Sequence, residues 1–148
     1  MIVGEGPEKR KLKQLAGELG ILDRVLFVGH IEDVREALSW FDVFTLSSDT
    51  EQMPNSVLQA MAAGRPIAAL DVGDIRRMVS PENRSYIVKR NDSAAYVRAL
   101  DDLLQNPSAR TRIGLDNQSY ARVHHGVEGM FAAYRNLFEE ATGLYRQA

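Results

Sequence analysis

The sequence predicts an α/β fold built on a doubly wound parallel sheet. Three observations carry that prediction. Short continuous apolar runs recur along the chain: Ile2-Val3, Val25-Leu26-Phe27-Val28, Val43-Phe44-Thr45-Leu46 and Ile67-Ala68-Ala69-Leu70. Uninterrupted runs of this kind belong to strands buried on both faces. The runs alternate with segments whose apolar residues fall at helical spacing. Glycine and proline mark the boundaries, at Gly20, Gly29, Gly64 and Pro66. Strands alternating with helices give a parallel sheet covered on both sides. Ligands of such sheets bind beyond the carboxyl ends of the strands. Function is therefore sought in the loops after Val3, Val28, Leu46 and Leu70.

The elements follow in order. Ile2-Val3 ends at Gly4-Glu5-Gly6-Pro7, and a first helix follows with Leu12, Leu15, Ala16 and Leu19 on one face. Pro7 suits a first helical turn and Glu8 favours the positive end of the helix dipole. A strand over 25–28 is stopped by Gly29. A second helix spans 32–40, with Val34, Ala37, Leu38 and Phe41 inward and Trp40 in the core. A third strand covers 43–46. After the polar loop 47–54, Asn55 is an N-cap and 56–63 a short helix ended by Gly64. The fourth strand is 67–70. A short helix over 75–79 and a fifth strand over 86–88 follow. Three helices complete the chain. Ser93–Gln105 carries Ala94, Val97, Leu100, Leu103 and Leu104 on one face. The next starts at Asn106-Pro107 and runs to about Arg122. The last spans Val127–Leu144, with Met130, Phe131, Tyr134, Leu137 and Phe138 inward.

Length and composition limit the function. The 148 residues make one domain of ordinary size, 1–148. Apolar residues at 45% and charged residues at 26% exclude a disordered chain and a coiled coil. Lys+Arg is 18 against 20 Asp+Glu, a net charge of −2, which argues against nucleic acid as a partner. The absence of cysteine excludes a disulfide scaffold, a thiolate zinc site and a cysteine nucleophile, and fits a cytoplasmic setting. No stretch approaches the ~20 apolar residues of a membrane span.

Two stretches bear on chemistry. Gly4-x-Gly6 after a strand suggests a loop whose backbone approaches a ligand, or simply a tight strand-to-helix turn. A dinucleotide fingerprint needs a further glycine where Lys9 stands, and a P-loop needs Gly-Lys-Ser/Thr, which is missing. The loop and helix 47–64 place a helix N-terminus at the carboxyl end of a parallel sheet. Free N–H groups and the dipole make an anion site there, with Glu51 just before it and Gln59 one turn inside; the alternative is an ordinary capped helix. His124-His125 lacks carboxylates at matching spacing, so no metal site is expected. Arg76 and Arg77 read as solvated surface residues or as contacts to a phosphate. Lys9, Arg10, Lys11 and Lys13 read as a solvated face.

The chain resembles the C-terminal, nucleotide-sugar-binding domain of retaining glycosyltransferases of family four, which have the GT-B fold. The matching residues are Val3-Gly4-Glu5-Gly6-Pro7, Val25-Leu26-Phe27-Val28-Gly29, Asp42-Val43-Phe44, Ser48-x-x-Glu51-x-x-Pro54-Asn55, Ala60-Met61-Ala62-Ala63-Gly64-x-Pro66 and Asp71-Val72-Gly73. The resemblance implies that Glu51 holds donor-sugar hydroxyls and supports the cationic sugar of the transition state. It implies that Asn55 and the N–H groups of Ser56, Val57 and Leu58 cradle the diphosphate. It implies that the loop Gly29-His30-Ile31 lies against the base, while Gly4 and Gly6 are the candidates from the strand-to-helix turn for close approach to the ligand. A second glutamate usually takes the ribose hydroxyls; here that position is Gln59, which keeps an acceptor but loses the charge-assisted bond.

The resemblance further implies a metal-independent transfer with no cofactor, the nucleotide-diphosphate sugar being a substrate. It points to polysaccharide or lipopolysaccharide biosynthesis, in the cytoplasm or peripheral at the inner membrane. The family's first strand and helix, with a diphosphate-neutralising Arg and Lys, and its N-terminal acceptor domain have no counterpart in this sequence. The isolated chain is therefore expected to lack transferase activity. A homodimer through the surface so exposed is one expectation. Direct pairing of the strands at Ile2 and Val43, or pairing through another chain, is another. The alternatives are a non-catalytic nucleotide-binding or interaction module and a fragment of a sugar-nucleotide epimerase.

Overall fold

The computed structural model describes residues 1–143; Leu144, the last residue of the expected final helix, lies outside them. The chain divides into two compact units, Met1–Val34 and Arg35–Ala148. The first contains β1 (Ile2–Val3), α1 (Lys9–Glu18), a 3-10 turn (Leu22–Arg24) and β2 (Phe27–Gly29). β1 and β2 are parallel, with Ile2 opposite Phe27 and Val3 opposite Gly29. Gly29 has φ +79° and Gly4 φ +126°, backbone angles that suit glycine. These angles let the Gly4 N–H reach the Gly29 carbonyl at 2.7 Å. On α1 only Ala16 is buried. Leu12, Leu15 and Leu19, expected as its inward face, are exposed.

The second unit opens with α2 (Val34–Ser39), which begins at the boundary. It continues through β3 (Phe44–Leu46), α3 (Asn55–Ala62), β4 (Ile67–Asp71), α4 (Ile75–Met78), a 3-10 turn (Glu82–Tyr86) and β5 (Ile87–Lys89). The helices α5 (Ser93–Gln105), α6 (Pro107–His124) and α7 (Val127–Thr142) complete it. Its sheet has the order β3-β4-β5, all parallel. β4 is central, so Ile67, Ala68 and Ala69 are fully buried, which is why that run lacks polar residues. Val57, Ala60 and Met61 of α3 cover it together with Ile75, Met78, Leu103 and Ile113.

All five expected parallel strands form, but not as one sheet. β1 and β3 are not hydrogen-bonded neighbours: the described strands make a two-stranded and a three-stranded sheet. Direct closure of β1 onto β3 is therefore not formed.

Polar groups fasten the second unit. The Asn83 carboxamide takes both ends of the Ile67 peptide pair, accepting its N–H at 2.8 Å and donating to its carbonyl at 2.7 Å. Asn117 on α6 donates to the Asn83 oxygen at 2.6 Å and to the Arg65 carbonyl at 3.0 Å, and accepts from the Ser80 N–H at 3.1 Å. Buried amides this well paired keep their hydrogen bonds without water. The Asn106 side chain caps α6 by accepting from the Ala109 N–H at 3.1 Å, and Pro107 follows it in the first turn. Gly114 lets α6 approach α3 closely: a Cβ there would meet the Gly64 carbonyl, its carbon at 3.0 Å.

Core expectations fail beyond α1 as well: on α5, Leu103 is buried but Ala94, Val97 and Leu104, expected on the same face, are exposed. Trp40 is 63% exposed. α7 buries none of its residues, and Met130, Phe131, Tyr134, Leu137 and Phe138 all face outward.

Candidate functional site

The site is built where β3 and β4 end. The chain leaves β3 at Leu46, crosses a loop, and enters α3 at Asn55. Pro54, extended at φ −69° and ψ 118°, is the N-cap, and no side chain caps the helix. Asn55 is thus the first helical residue rather than the cap, because the fixed φ of buried Pro54 already ends the loop. Val57 donates its N–H to the Pro54 carbonyl at 3.0 Å. The N–H groups of Asn55 and Ser56 are those a first turn leaves without an intrahelical acceptor. Together with the helix dipole they give this end of the sheet a positive character.

Glu51 lies four residues before that helix. It is half-buried. Among the described residues its carboxylate has no hydrogen-bond or ion-pair partner. Its neighbour Asp49 is 3.9 Å from Arg90. The loop is held from below by the turn after β4. Asp74 donates its N–H to the Gln52 carbonyl at 2.8 Å, and Gly73, at φ +55°, packs directly beneath the Glu51 and Gln52 peptides.

Gln59 sits one turn into α3 and is exposed, while Val57, Ala60 and Met61 turn to the core. It lines a cleft of about 370 Å³ between α3 and the α6–α7 junction, with Leu58, Gln118, Arg122 and His125 among the other walls. Gln118 is committed to the Ala62 carbonyl at 2.9 Å, and the His125 Nε2 lies 3.0 Å from the Met78 carbonyl. Sequence reading did not find Arg122 or His125 as cleft residues. Only their distance along the chain from α3 hid them.

Gly4, Gly6, His30 and Ile31 lie in the first unit, at the carboxyl ends of β1 and β2. All but Ile31 are exposed there. A Cβ on Gly29 would meet the Glu5 carboxylate at 2.6 Å, and that carboxylate pairs with Lys9 at 2.6 Å. The loop after β1 thus rests on the end of β2.

Arg76 is half-exposed, but its guanidinium is engaged within the chain. It binds Asp71 at 2.6 Å and the Arg84 carbonyl at 3.1 Å, and also donates to the Ile87 carbonyl. It ties the end of β4 to β5. Arg77, by contrast, is a solvated residue 3.4 Å from Asp74.

Parallel strands alternating with helices in both units, and the likeness to the solved structures below, define the class: half of a GT-B fold. Residues 1–106 match the family model for glycosyl transferases group 1, and the chain belongs to that family. It is 29% identical over 138 residues to the lipopolysaccharide core biosynthesis glycosyltransferase LpsD of Rhizobium meliloti, covering 93% of this chain and 40% of that protein. The structure of Anabaena Alr3699/HepE in complex with UDP superposes with a TM-score of 0.84 at 19% identity, over 93% of this chain and 40% of that one. Sucrose-phosphate synthase from Thermosynechococcus elongatus gives a TM-score of 0.78 at 27% identity, over 93% and 38%. The chain spans about 40% of the length of the curated relatives it matches. Among the described residues no helix is long and apolar enough to cross a membrane.

Proposed function

We propose that this chain binds a nucleotide-diphosphate sugar and presents it for retaining, metal-independent transfer to a saccharide or lipid-linked acceptor. In this reading it is the donor-binding part of a larger transferase of polysaccharide or lipopolysaccharide synthesis, working in the cytoplasm or at the inner membrane face. The carrying observation is the juxtaposition at one end of the sheet of an α3 N-terminus without a side-chain cap and a half-buried Glu51 that has no partner among the described residues. The Asn55 and Ser56 N–H groups bond the diphosphate. As the glycosidic bond to the nucleotide breaks, negative charge grows on the leaving phosphate, and fixed N–H dipoles stabilise it without reorganising. Glu51 accepts hydrogen bonds from hydroxyls of the donor sugar and faces the positive charge growing on its ring. Gln59 takes the ribose hydroxyls.

Uridine diphosphate and its glucose conjugate are the probes, since the Anabaena protein was solved with UDP and glucose. Gln59→Glu gives the ribose a charged acceptor, partly offset by repulsion from the diphosphate. The expected net gain in diphosphate affinity is about 1 kcal/mol, roughly five-fold. Glu51→Gln leaves the diphosphate affinity unchanged and weakens the sugar conjugate. Calorimetric titration separates the two ligands. Weaker binding in Gln59→Glu, or equal loss of both ligands in Glu51→Gln, overturns the assignment.

Gln59 also favours a second reading, a nucleotide-binding module without catalysis, because a neutral ribose acceptor binds more weakly. Nucleotide binding with no turnover beside a supplied acceptor-binding half supports that reading. Sugar transfer in that mixture supports the first.

A further inference from the structure

The turn that follows β4 is anchored on both sides. Arg76 holds Asp71 at the strand end, at 2.6 Å. The Asp74 carbonyl accepts from the N–H groups of Arg77 at 2.8 Å and Met78 at 3.0 Å as α4 begins. Between these anchors stands Gly73 at φ +55°. A Cβ on Gly73 would lie 2.5 Å from the Glu51 carbonyl oxygen and 2.8 Å from its carbonyl carbon, with the Gln52 carbonyl oxygen closer still. These are backbone atoms, so no side-chain rotation relieves the overlap. The next residue adds a bond, the Asp74 N–H to the Gln52 carbonyl at 2.8 Å. Two consecutive peptides of the β3–α3 loop therefore rest on Gly73 and Asp74.

We propose that Gly73 is a positioning residue for Glu51: the missing side chain at 73 sets how deeply the Glu51 peptide seats, and so where its carboxylate meets the donor sugar. This rests on the donor-binding reading above. Any side chain at 73 lifts the Glu51 peptide off the turn, while α3, whose first turn binds the diphosphate, keeps its own contacts to the core through Val57 and Met61. The sugar contact is then lost and the diphosphate contact kept.

The test compares two glycines of positive φ. Gly64, at φ +69°, has only ordinary contacts around its Cβ position, the nearest being the Gln118 Nε2 at 3.7 Å. Asparagine tolerates positive φ better than other side chains. Gly73→Asn and Gly64→Asn therefore share the backbone strain, and only the first collides with the Glu51 loop. Both are titrated with uridine diphosphate and with its glucose conjugate, alongside the unaltered chain. The measured quantity is the ratio of the two affinities. In Gly73→Asn it should fall about ten-fold, as expected for a lost hydrogen bond to a charged group. In Gly64→Asn it should stay as in the unaltered chain. Amide exchange of Asp74 gives a readout that needs no ligand and should lose protection in Gly73→Asn alone. If Gly73→Asn does not fold, Gly73→Ala and Gly64→Ala, which add the Cβ alone, take the place of the asparagine pair in both measurements.

An unchanged ratio in Gly73→Asn, or an equal fall in Gly64→Asn, overturns the positioning role. Retained protection at Asp74 does the same. If the unaltered chain binds neither ligand, the donor-binding reading fails first, and the role of Gly73 in donor binding falls with it.

Discussion

α6 and α7 are the two longest helices among the described residues, and they treat their apolar faces oppositely. α6 buries Ala109, Ile113, Gly114, Asn117 and Ala121, a face mixed with glycine and asparagine. α7 carries the cleaner stripe, Met130, Phe131, Tyr134, Leu137 and Phe138, and buries none of it. Apolar periodicity therefore tells which side of a helix is sticky. It does not tell whether the chain supplies a surface to meet it. α6 has α3 to meet, through Gly114 against Gly64 and through Gln118 on the Ala62 carbonyl. The Asn117 network adds directional bonds that no apolar stripe can provide.

The largest test of that contrast lies in α6. Ile113 is 1% exposed and packs with Ala68, Leu103 and Ala109, against Val43, Tyr86 and Leu100. Ile113→Ala leaves a cavity among these side chains and should cost about 2–5 kcal/mol by denaturant titration. A loss below ~1 kcal/mol would mean that the site collapses freely and that α6 is not the packed helix described here.

Much of this was legible in the sequence, and what escaped has a common cause. The Ile67-Ala68-Ala69 run shows a central strand because burial on both faces excludes polar residues. Asn106-Pro107 shows a helix start because the cap and its donor are three residues apart. Both signals are local. The Asn83–Asn117 pair joins residues far apart in the chain, and nothing near either one marks it. Arg76 reads as a surface arginine because two of its partners are backbone carbonyls, which every residue owns. In the site itself, Glu51 and the α3 start are placed by the β3–α3 loop, which the sequence displays. The cap is Pro54 instead of Asn55 because a proline of fixed φ ends the loop one residue earlier. Gly73 is visible as a turn residue in Asp71-Val72-Gly73-Asp74, but its contact with the Glu51 peptide is not, since contact between two loops has no sequence period.

A smaller effect tests the packed region by pH. Tyr86 donates to the Asp102 carboxylate at 2.7 Å, tying the 3-10 turn before β5 to α5. That hydrogen bond, then burial, then the Asp102 charge push the Tyr86 pKa above its ordinary value, with Arg112 opposing. A raised folded pKa means stability that is complete below the unfolded value of about 10 and is lost as pH climbs through the folded value. Melting temperature should therefore fall more steeply above about pH 10 in the native chain than in Tyr86→Phe. The solvent-screened difference should stay below about 1 kcal/mol. Parallel curves for the two proteins would show that the phenol does not contribute.

The smallest expected change in stability is in α7, and it completes the comparison. Phe131 and Phe138 are 61% and 65% exposed, so the folded chain withholds little of either ring from water. Phe131→Ser with Phe138→Ser removes more apolar carbon than Ile113→Ala does. If burial alone sets the cost, the double variant should still unfold within about 0.5 kcal/mol of the native chain. The same stripe is a contiguous exposed apolar surface, and such surfaces associate. Sedimentation velocity over a concentration series should therefore show association in the native chain that the double variant loses. The two measurements move in opposite directions for α6 and α7: Ile113→Ala changes stability and leaves association alone, while the α7 variant does the reverse. A large stability loss in the α7 variant would show that its stripe is covered within the folded chain, and the contrast between the two helices would disappear.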